Sequence, residues 1–145
     1  MDEPSGTRSP LVRGAADMST SRFEGYRILL VDDDPDVLES MAIAIGSEGG
    51  EIVRADDGNT AVSLYNAQNP DAVVLDMMLP SRSGFLVLEK IREDENPPPV
   101  VMITANQGKR HMEYARSLGV AAYLVKPVAL AKLLDTLIDV LSPQA

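Results

Sequence analysis

Ala72-Val73-Val74-Leu75-Asp76 is a run of four apolar residues closed by a carboxylate, and three other runs end in the same way. Ile28-Leu29-Leu30-Val31 is followed by Asp32 and Asp33, Val100-Val101-Met102-Ile103 by Thr104, and Ala121-Ala122-Tyr123-Leu124-Val125 by Lys126. Short β-branched runs without polar alternation are what strands of a parallel sheet covered on both faces look like. In such a sheet all strand ends of one kind share one edge. Three carboxylates, a hydroxyl and an ammonium are therefore expected together at the carboxyl edge, where open α/β sheets bind ligands.

Outward from these runs, the spacing predicts strands near 27–31, 51–54, 72–76, 100–104 and 121–125. Helices are expected near 36–47, 58–67, 84–92, 108–118 and 129–141. Five β/α units with right-handed crossovers make a doubly wound α/β fold with a parallel sheet. A common order for that fold is 2-1-3-4-5, with ligand at the switch point between strands one and three. Those strands end at Asp32-Asp33 and Asp76. The last helix carries a clear apolar stripe, Leu130, Leu133, Leu134, Leu137, Ile138 and Leu141. The helix near 108–118 has only Met112, Ala115 and Leu118 beside several charges, so it is expected to be lightly anchored and easily moved. Glu93-Asp94-Glu95-Asn96-Pro97-Pro98-Pro99 reads as a loop, since prolines cannot continue the helix. Residues 1–24, with Pro4, Gly6, Pro10, Gly14 and Ser19-Thr20-Ser21, are expected to be a disordered leader, followed by one domain over 25–142 and a tail at 143–145.

The length of 145 residues suits one domain, and 45% apolar with 24% charged residues is the composition of a soluble globular protein. The absence of cysteine removes disulfides, thiolate metal sites and cysteine nucleophiles. No stretch approaches the roughly 18 consecutive apolar residues of a membrane span, and the N-terminus lacks a signal-peptide core. A cytoplasmic location without membrane contact is the default expectation. A net charge of −9 argues against a nucleic-acid surface, and the one tight basic pair, Lys109-Arg110, reads as a solvated helix face. His111, the single histidine, is assigned no role.

Clustered carboxylates on loops, with no histidine or cysteine beside them, suit a hard divalent cation, for which magnesium is the natural candidate. Mg2+ takes one or two protein carboxylates and keeps its other positions for water, carbonyls or phosphate oxygens. A bare cluster is costly, since unit charges ~4 Å apart repel by about 4 kcal/mol at an effective dielectric of 20. One aspartate can then act as a nucleophile and form an aspartyl-phosphate. Lys126 offers a positive charge to phosphoryl oxygens and Thr104 a hydrogen bond. A phosphoryl group adds about −1.5 to −2 charges, enough to draw in a hydroxyl or a loop. A single Asp after a strand is more often a cap or turn residue, and Asp34 and Asp36 are read that way. It is the four placements together that point to chemistry.

Residues 26–142 resemble the receiver domains of two-component response regulators. The resemblance rests on Ile28 to Pro35, on Val73-Val74-Leu75-Asp76-Met77-Met78-Leu79-Pro80 with Gly84, on Pro99 to Ala105, and on Gly119 to Pro127. It implies a flavodoxin-like (βα)5 three-layer sandwich with a five-stranded parallel sheet ordered 2-1-3-4-5. It implies that Asp76 accepts a phosphoryl group from the phosphohistidine of a histidine kinase or phosphotransfer protein. Asp33, Asp76 and the backbone carbonyl of Met78 would bind Mg2+, with Asp32 contributing through the acidic pocket or bound water. Thr104 and Lys126 would contact the phosphoryl oxygens, and Tyr123 would be the aromatic switch that turns inward when Thr104 moves. The Lys126-Pro127 bond would be cis.

Some positions depart from the family's commonest pattern. Ser83 stands where an Asp often precedes the glycine, which puts the capping of that loop in question, and Val128 replaces a frequent aromatic. Met78 and Asn106 occupy positions resembling the family's tuners of aspartyl-phosphate lifetime. The expected protein is a stand-alone, chemotaxis-regulator-like receiver that catalyses only its own phosphorylation and dephosphorylation. It would signal to an unidentified downstream protein through the face made by the fourth helix, fifth strand and fifth helix, and it could dimerise. Alternatives are a phosphorelay intermediate, a receiver from a larger regulator, a contact-only binding module and a flavodoxin-like cofactor protein, which lacks support because no glycine-rich phosphate loop follows the first strand. A phosphatase of the haloacid dehalogenase type is disfavoured because Asp32-Asp33-Asp34-Pro35-Asp36 lacks its motif.

Overall fold

The computed structural model describes residues 21–105 and 108–142. Five strands alternate with five helices: β1 (Arg27–Val31), α1 (Pro35–Gly46), β2 (Glu51–Ala55), α2 (Gly58–Gln68), β3 (Ala72–Asp76), α3 (Gly84–Arg92), β4 (Val100–Thr104), α4 (Lys109–Ser117), β5 (Ala122–Val125) and α5 (Leu130–Leu141). All strand pairings are parallel, in the order β2-β1-β3-β4-β5. The expected doubly wound (βα)5 sandwich is therefore the observed one.

The lack of polar alternation in the central strands has its cause in two covered faces. In β1, Ile28 and Leu30 point into one core with Leu38, Met41 and Ile45 of α1 and Leu133, Leu134 and Leu137 of α5. Leu29 and Val31 point into the other, with Tyr65 of α2, Val87, Leu88 and Ile91 of α3, and Ala115 of α4. β3 and β4 divide their residues in the same way and are buried throughout. The edge strands are wetter: β2 exposes Glu51 and Arg54, and β5 is half-buried along its length. Among the described residues, no helix is long and apolar enough to cross a membrane.

The expected domain boundary at residue 25 is too late. Phe23 is fully buried in the α1/α5 core, its N–H donates to the Glu48 carbonyl at 2.9 Å, and Arg22 forms ion pairs with Glu48 and Asp135. A lone aromatic among polar residues has no periodicity to reveal it, yet one buried Phe is enough to fix the segment to the base of the sheet. Of the leader expected over residues 1–24, residues 1–20 lie outside the described residues, as does the tail at 143–145.

Candidate functional site

Parallel strands bring the four polar strand ends to one edge, as the runs predict. Asp32 follows β1 and is fully buried, Asp76 closes β3 at 4% exposure, and Thr104 closes β4 with no exposure. Asp33, one residue further along, is exposed. One oxygen from each of Asp32, Asp33 and Asp76 lies within 4.8 Å of the others. Lys126 leaves β5 through the cis Lys126-Pro127 bond, and its Nζ stands 2.8 Å from Asp32 Oδ2 and 3.2 Å from Asp76 Oδ2.

Local chain geometry holds each carboxylate. Asp32 Oδ1 accepts the Asp34 N–H at 2.9 Å, and Asp34 caps α1 by accepting the Asp36 N–H at 2.9 Å, so Asp34 and Asp36 have the cap and turn roles read for them. Asp76 Oδ1 accepts the Met78 N–H at 3.1 Å. Gly84 starts α3 against the end of β3, where a Cβ would fall 2.3 Å from the Asp76 carbonyl oxygen. Its N–H also donates to the Met77 carbonyl at 2.9 Å. Ser83 answers the capping question, since its Oγ accepts the Leu86 N–H at 3.3 Å.

Burial pushes the Asp76 carboxyl above the usual carboxylate range; the Met78 N–H and Lys126 oppose that rise and the Asp32 charge adds to it. Burial pulls the Lys126 ammonium down, but Asp32 and Asp76 outweigh it and the net shift is upward. One lysine therefore serves two buried carboxylates. Asp32 Oδ2 makes an ion pair with Lys126 yet accepts no hydrogen bond of good geometry, although it is buried. The Lys126 ammonium at 2.8 Å is the cation that compensates this buried oxygen. Three carboxylate oxygens this close, in a chain without cysteine and with its one histidine on α4, fit a hard divalent ion.

The remaining expected residues are distributed around this centre. Met78 is 62% exposed at the rim. Tyr123 is half-buried against the α2/α3/α4 core, in register with Met102 and two residues before the Thr104–Val125 pair. Desolvation raises its phenol pKa. Val128 packs at the margin of the α1/α5 core. Asn106 lies outside the described residues. What the strand-end reading missed is the support of the loop after Asp76: Gly58 donates its N–H to the Pro80 carbonyl at 3.1 Å, and Asp57 accepts from Ser81 Oγ at 3.2 Å. The signal was Asp57-Gly58-Asn59-Thr60, an N-cap aspartate before a helix, whose carboxylate also accepts the Thr60 N–H at 2.8 Å.

The model of the response regulator receiver domain matches residues 28–138, and the chain belongs to that family. Receiver domains generally bind Mg2+ at an acidic pocket, and this chain carries an acidic cluster of Asp32, Asp33 and Asp76. Similar curated proteins include the probable transcriptional regulatory protein TcrX of Mycobacterium tuberculosis, 37% identical over 103 residues, which are 71% of this chain and 44% of that protein. The response regulator MprA of Mycolicibacterium vanbaalenii is 37% identical over 108 residues, covering 74% of this chain and 47% of its own length. The chain thus spans less than half the length of these relatives. Among solved structures, a CheY-like receiver domain protein from Methanospirillum hungatei superposes with a TM-score of 0.77 at 27% identity, covering 80% of this chain and 93% of that one. The BeF3-activated receiver domain of Klebsiella pneumoniae RstA gives 0.75 at 27% identity, covering 81% and 99%.

Proposed function

We propose that this chain is a phosphorylation-driven switch in which Asp76 takes a phosphoryl group from the phosphohistidine of a histidine kinase or phosphotransfer protein. The observation that carries the reading is the pairing of one half-buried lysine with two buried aspartates at the sheet's switch point, beside the exposed Asp33. A carboxylate oxygen of Asp76 attacks phosphorus, the phosphorus–nitrogen bond of the donor breaks, and the departing imidazole keeps the electron pair and takes up a proton. Asp33, Asp76 and the Met78 carbonyl would hold Mg2+, with Asp32 acting through the pocket or bound water. When bound, that ion offsets the charge of the carboxylates and of the phosphoryl oxygens.

The chain's own groups do the rest. The Met78 N–H orients the Asp76 carboxylate. Lys126, already between Asp32 and Asp76, exchanges part of that pairing for a phosphoryl oxygen. The Thr104 hydroxyl donates to another oxygen, the backbone after β4 shifts, and Tyr123 turns inward into the space it leaves. Because β5 and α4 are the lightly buried elements beside the site, the change is expressed on the α4–β5–α5 face, which contacts a downstream protein and is a candidate for self-association. Turnover of an external substrate is not part of this reading, nor is direct contact with nucleic acid, which a net charge of −9 disfavours. The site suits a cytoplasmic protein. A second reading, in which the same face relays the signal to gene regulation, is favoured by the similarity to mycobacterial transcriptional regulatory proteins.

The test is incubation with a small phosphodonor, with and without Mg2+, followed by intact mass and hydroxylamine treatment. Wild type should gain one hydroxylamine-labile phosphoryl group that requires Mg2+, and Asp76→Asn should gain none. A stable adduct on Asp76→Asn would sink the assignment.

A further inference from the structure

The loop that joins Asp76 to α3 is gripped from outside the acidic pocket by the first turn of α2. Gly58 N–H donates to the Pro80 carbonyl at 3.1 Å, Asn59 N–H donates to Ser81 Oγ at 3.2 Å, and Ser81 Oγ donates to Asp57 Oδ1 at 3.2 Å. Arg82 Nε donates to Asn59 Oδ1 at 3.1 Å. The two backbones touch: a Cβ on Gly58 would fall 2.0 Å from the Arg82 carbonyl oxygen, so only glycine permits the approach. Ser81 itself has φ of +66°, in the left-handed region that serine rarely adopts. Such a conformation persists where the surroundings over-determine it, and here its hydroxyl is bonded on both sides.

We propose that Ser81 and Asp57 are positioning residues for the cation pocket, acting on it through the β3–α3 loop. This rests on the functional reading above, in which the Met78 carbonyl is a cation ligand. Ser81 lies three residues after Met78, whose N–H already fixes the Asp76 carboxylate. The other end of the loop is pinned by the Gly84 N–H on the Met77 carbonyl. Between those pins the Met78 peptide is located by Pro80, Ser81 and Arg82, and all three are held by α2. Mg2+ demands near-ideal octahedral geometry at about 2.0–2.1 Å, so a displacement of a few tenths of an ångström in a carbonyl ligand weakens it. Partners outside the ligand shell that orient ligands affect metal affinity strongly in general. The prediction is a fault in cation affinity, with the nucleophile still competent when the cation is saturating.

The experiment uses the full chain and titrates Mg2+ into the unphosphorylated protein by calorimetry, then measures phosphorylation by a small phosphodonor against Mg2+ concentration. Ser81→Ala should raise half-saturating Mg2+ by about tenfold, the low end for such outer partners. Its maximal phosphorylation rate should stay close to that of wild type. Asp57→Asn keeps an oxygen that accepts from Thr60 and Ser81, so it should bind Mg2+ like wild type. Ser81→Gly suits the left-handed backbone but lacks the hydroxyl, and should weaken Mg2+ as the alanine does. If Ser81→Ala binds Mg2+ like wild type, or if Ser81→Gly restores binding that alanine lost, the positioning role is overturned. A wild type that neither binds Mg2+ nor accepts a phosphoryl group would instead overturn the functional reading on which it rests.

Discussion

Helices α3 and α4 have the same length, nine residues, and cover the same face of the sheet, yet they are anchored in opposite ways. α3 begins at a Ser83 cap and buries Gly84, Val87, Leu88 and Ile91, with its first residue packed on the backbone of Asp76. α4 begins at Gly108, which offers no side chain to cap it, and buries Ala115 alone. Its other attachments are to α3: Phe85 stacks on His111 at 5.9 Å and meets Tyr114 edge-on at 5.0 Å, and the Tyr114 hydroxyl donates to Glu89. The strands repeat the contrast, β3 fully buried and β5 half-buried. Asp76 is thus set in the stiff half of the domain, while Thr104 and Tyr123 border the half that can move at low cost. A switch needs both properties. Under the proposed function, a mobile Asp76 would lose its alignment, and a rigid α4–β5–α5 face could not respond.

The sharpest way to break this contrast is to truncate one side chain in each helix. Leu88→Ala removes a fully buried side chain and should destabilise the domain by about 2–5 kcal/mol in urea unfolding. Tyr114→Ala removes a side chain that is 44% exposed and its aromatic contact, and should cost roughly 0.5–1.5 kcal/mol. Comparable losses would mean that α4 is as firmly built in as α3.

Much of this arrangement was legible in the residues because the physics behind it is local. Apolar runs without alternation report burial on both faces, and their polar terminators fall on one edge by topology alone, which brought Asp32, Asp76, Thr104 and Lys126 together in advance. The thin stripe of Met112, Ala115 and Leu118 foretold the light anchoring of α4. What stayed hidden depends on contacts distant in sequence. Phe23 has no periodic neighbours, and its burial is decided by the base of α1, more than twenty residues on. The Asp57–Ser81 link joins two loops 24 residues apart, each of which looks like an ordinary turn by itself. The departure at Ser83 was a local question, and a serine hydroxyl answers it as a cap.

A second prediction concerns the stiff half, where a buried carboxylate is held against its own solvation. Because the folded protein raises the Asp76 pKa, the native state binds that proton more tightly than the unfolded chain does. The stability tied to this group is present below the unfolded pKa and is lost as pH rises through the folded pKa. Asp76→Asn removes the charge and should be more stable than wild type at neutral pH, by roughly 1 kcal/mol, the scale of ordinary single substitutions. The gain should shrink as pH falls through the folded pKa, where the wild-type carboxyl is itself protonated. Added Mg2+ should stabilise wild type more than the variant. Urea midpoints at two pH values, with and without Mg2+, measure all of this; a variant less stable than wild type at neutral pH would contradict the description of a charge buried at a cost.

The smallest effect is the most discriminating about α4. Gly108 already has the extended backbone of an N-cap, with φ of −63° and ψ of 131°, but no side-chain acceptor. Gly108→Ser supplies a hydroxyl for an N–H of the first turn, a gain of a few tenths of a kcal/mol over glycine. Where that gain is read matters more than its size. If α4 opens by itself while the sheet and α3 remain folded, the gain appears as slower amide exchange within 109–117, with almost no change in the exchange of α3 or in the urea midpoint. If α4 opens only when the whole domain unfolds, both helices slow by the same factor and the midpoint rises with them. The first outcome follows from one buried residue holding nine; the second would make the aromatic contacts to Phe85 a stronger bond between the helices than their exposure implies.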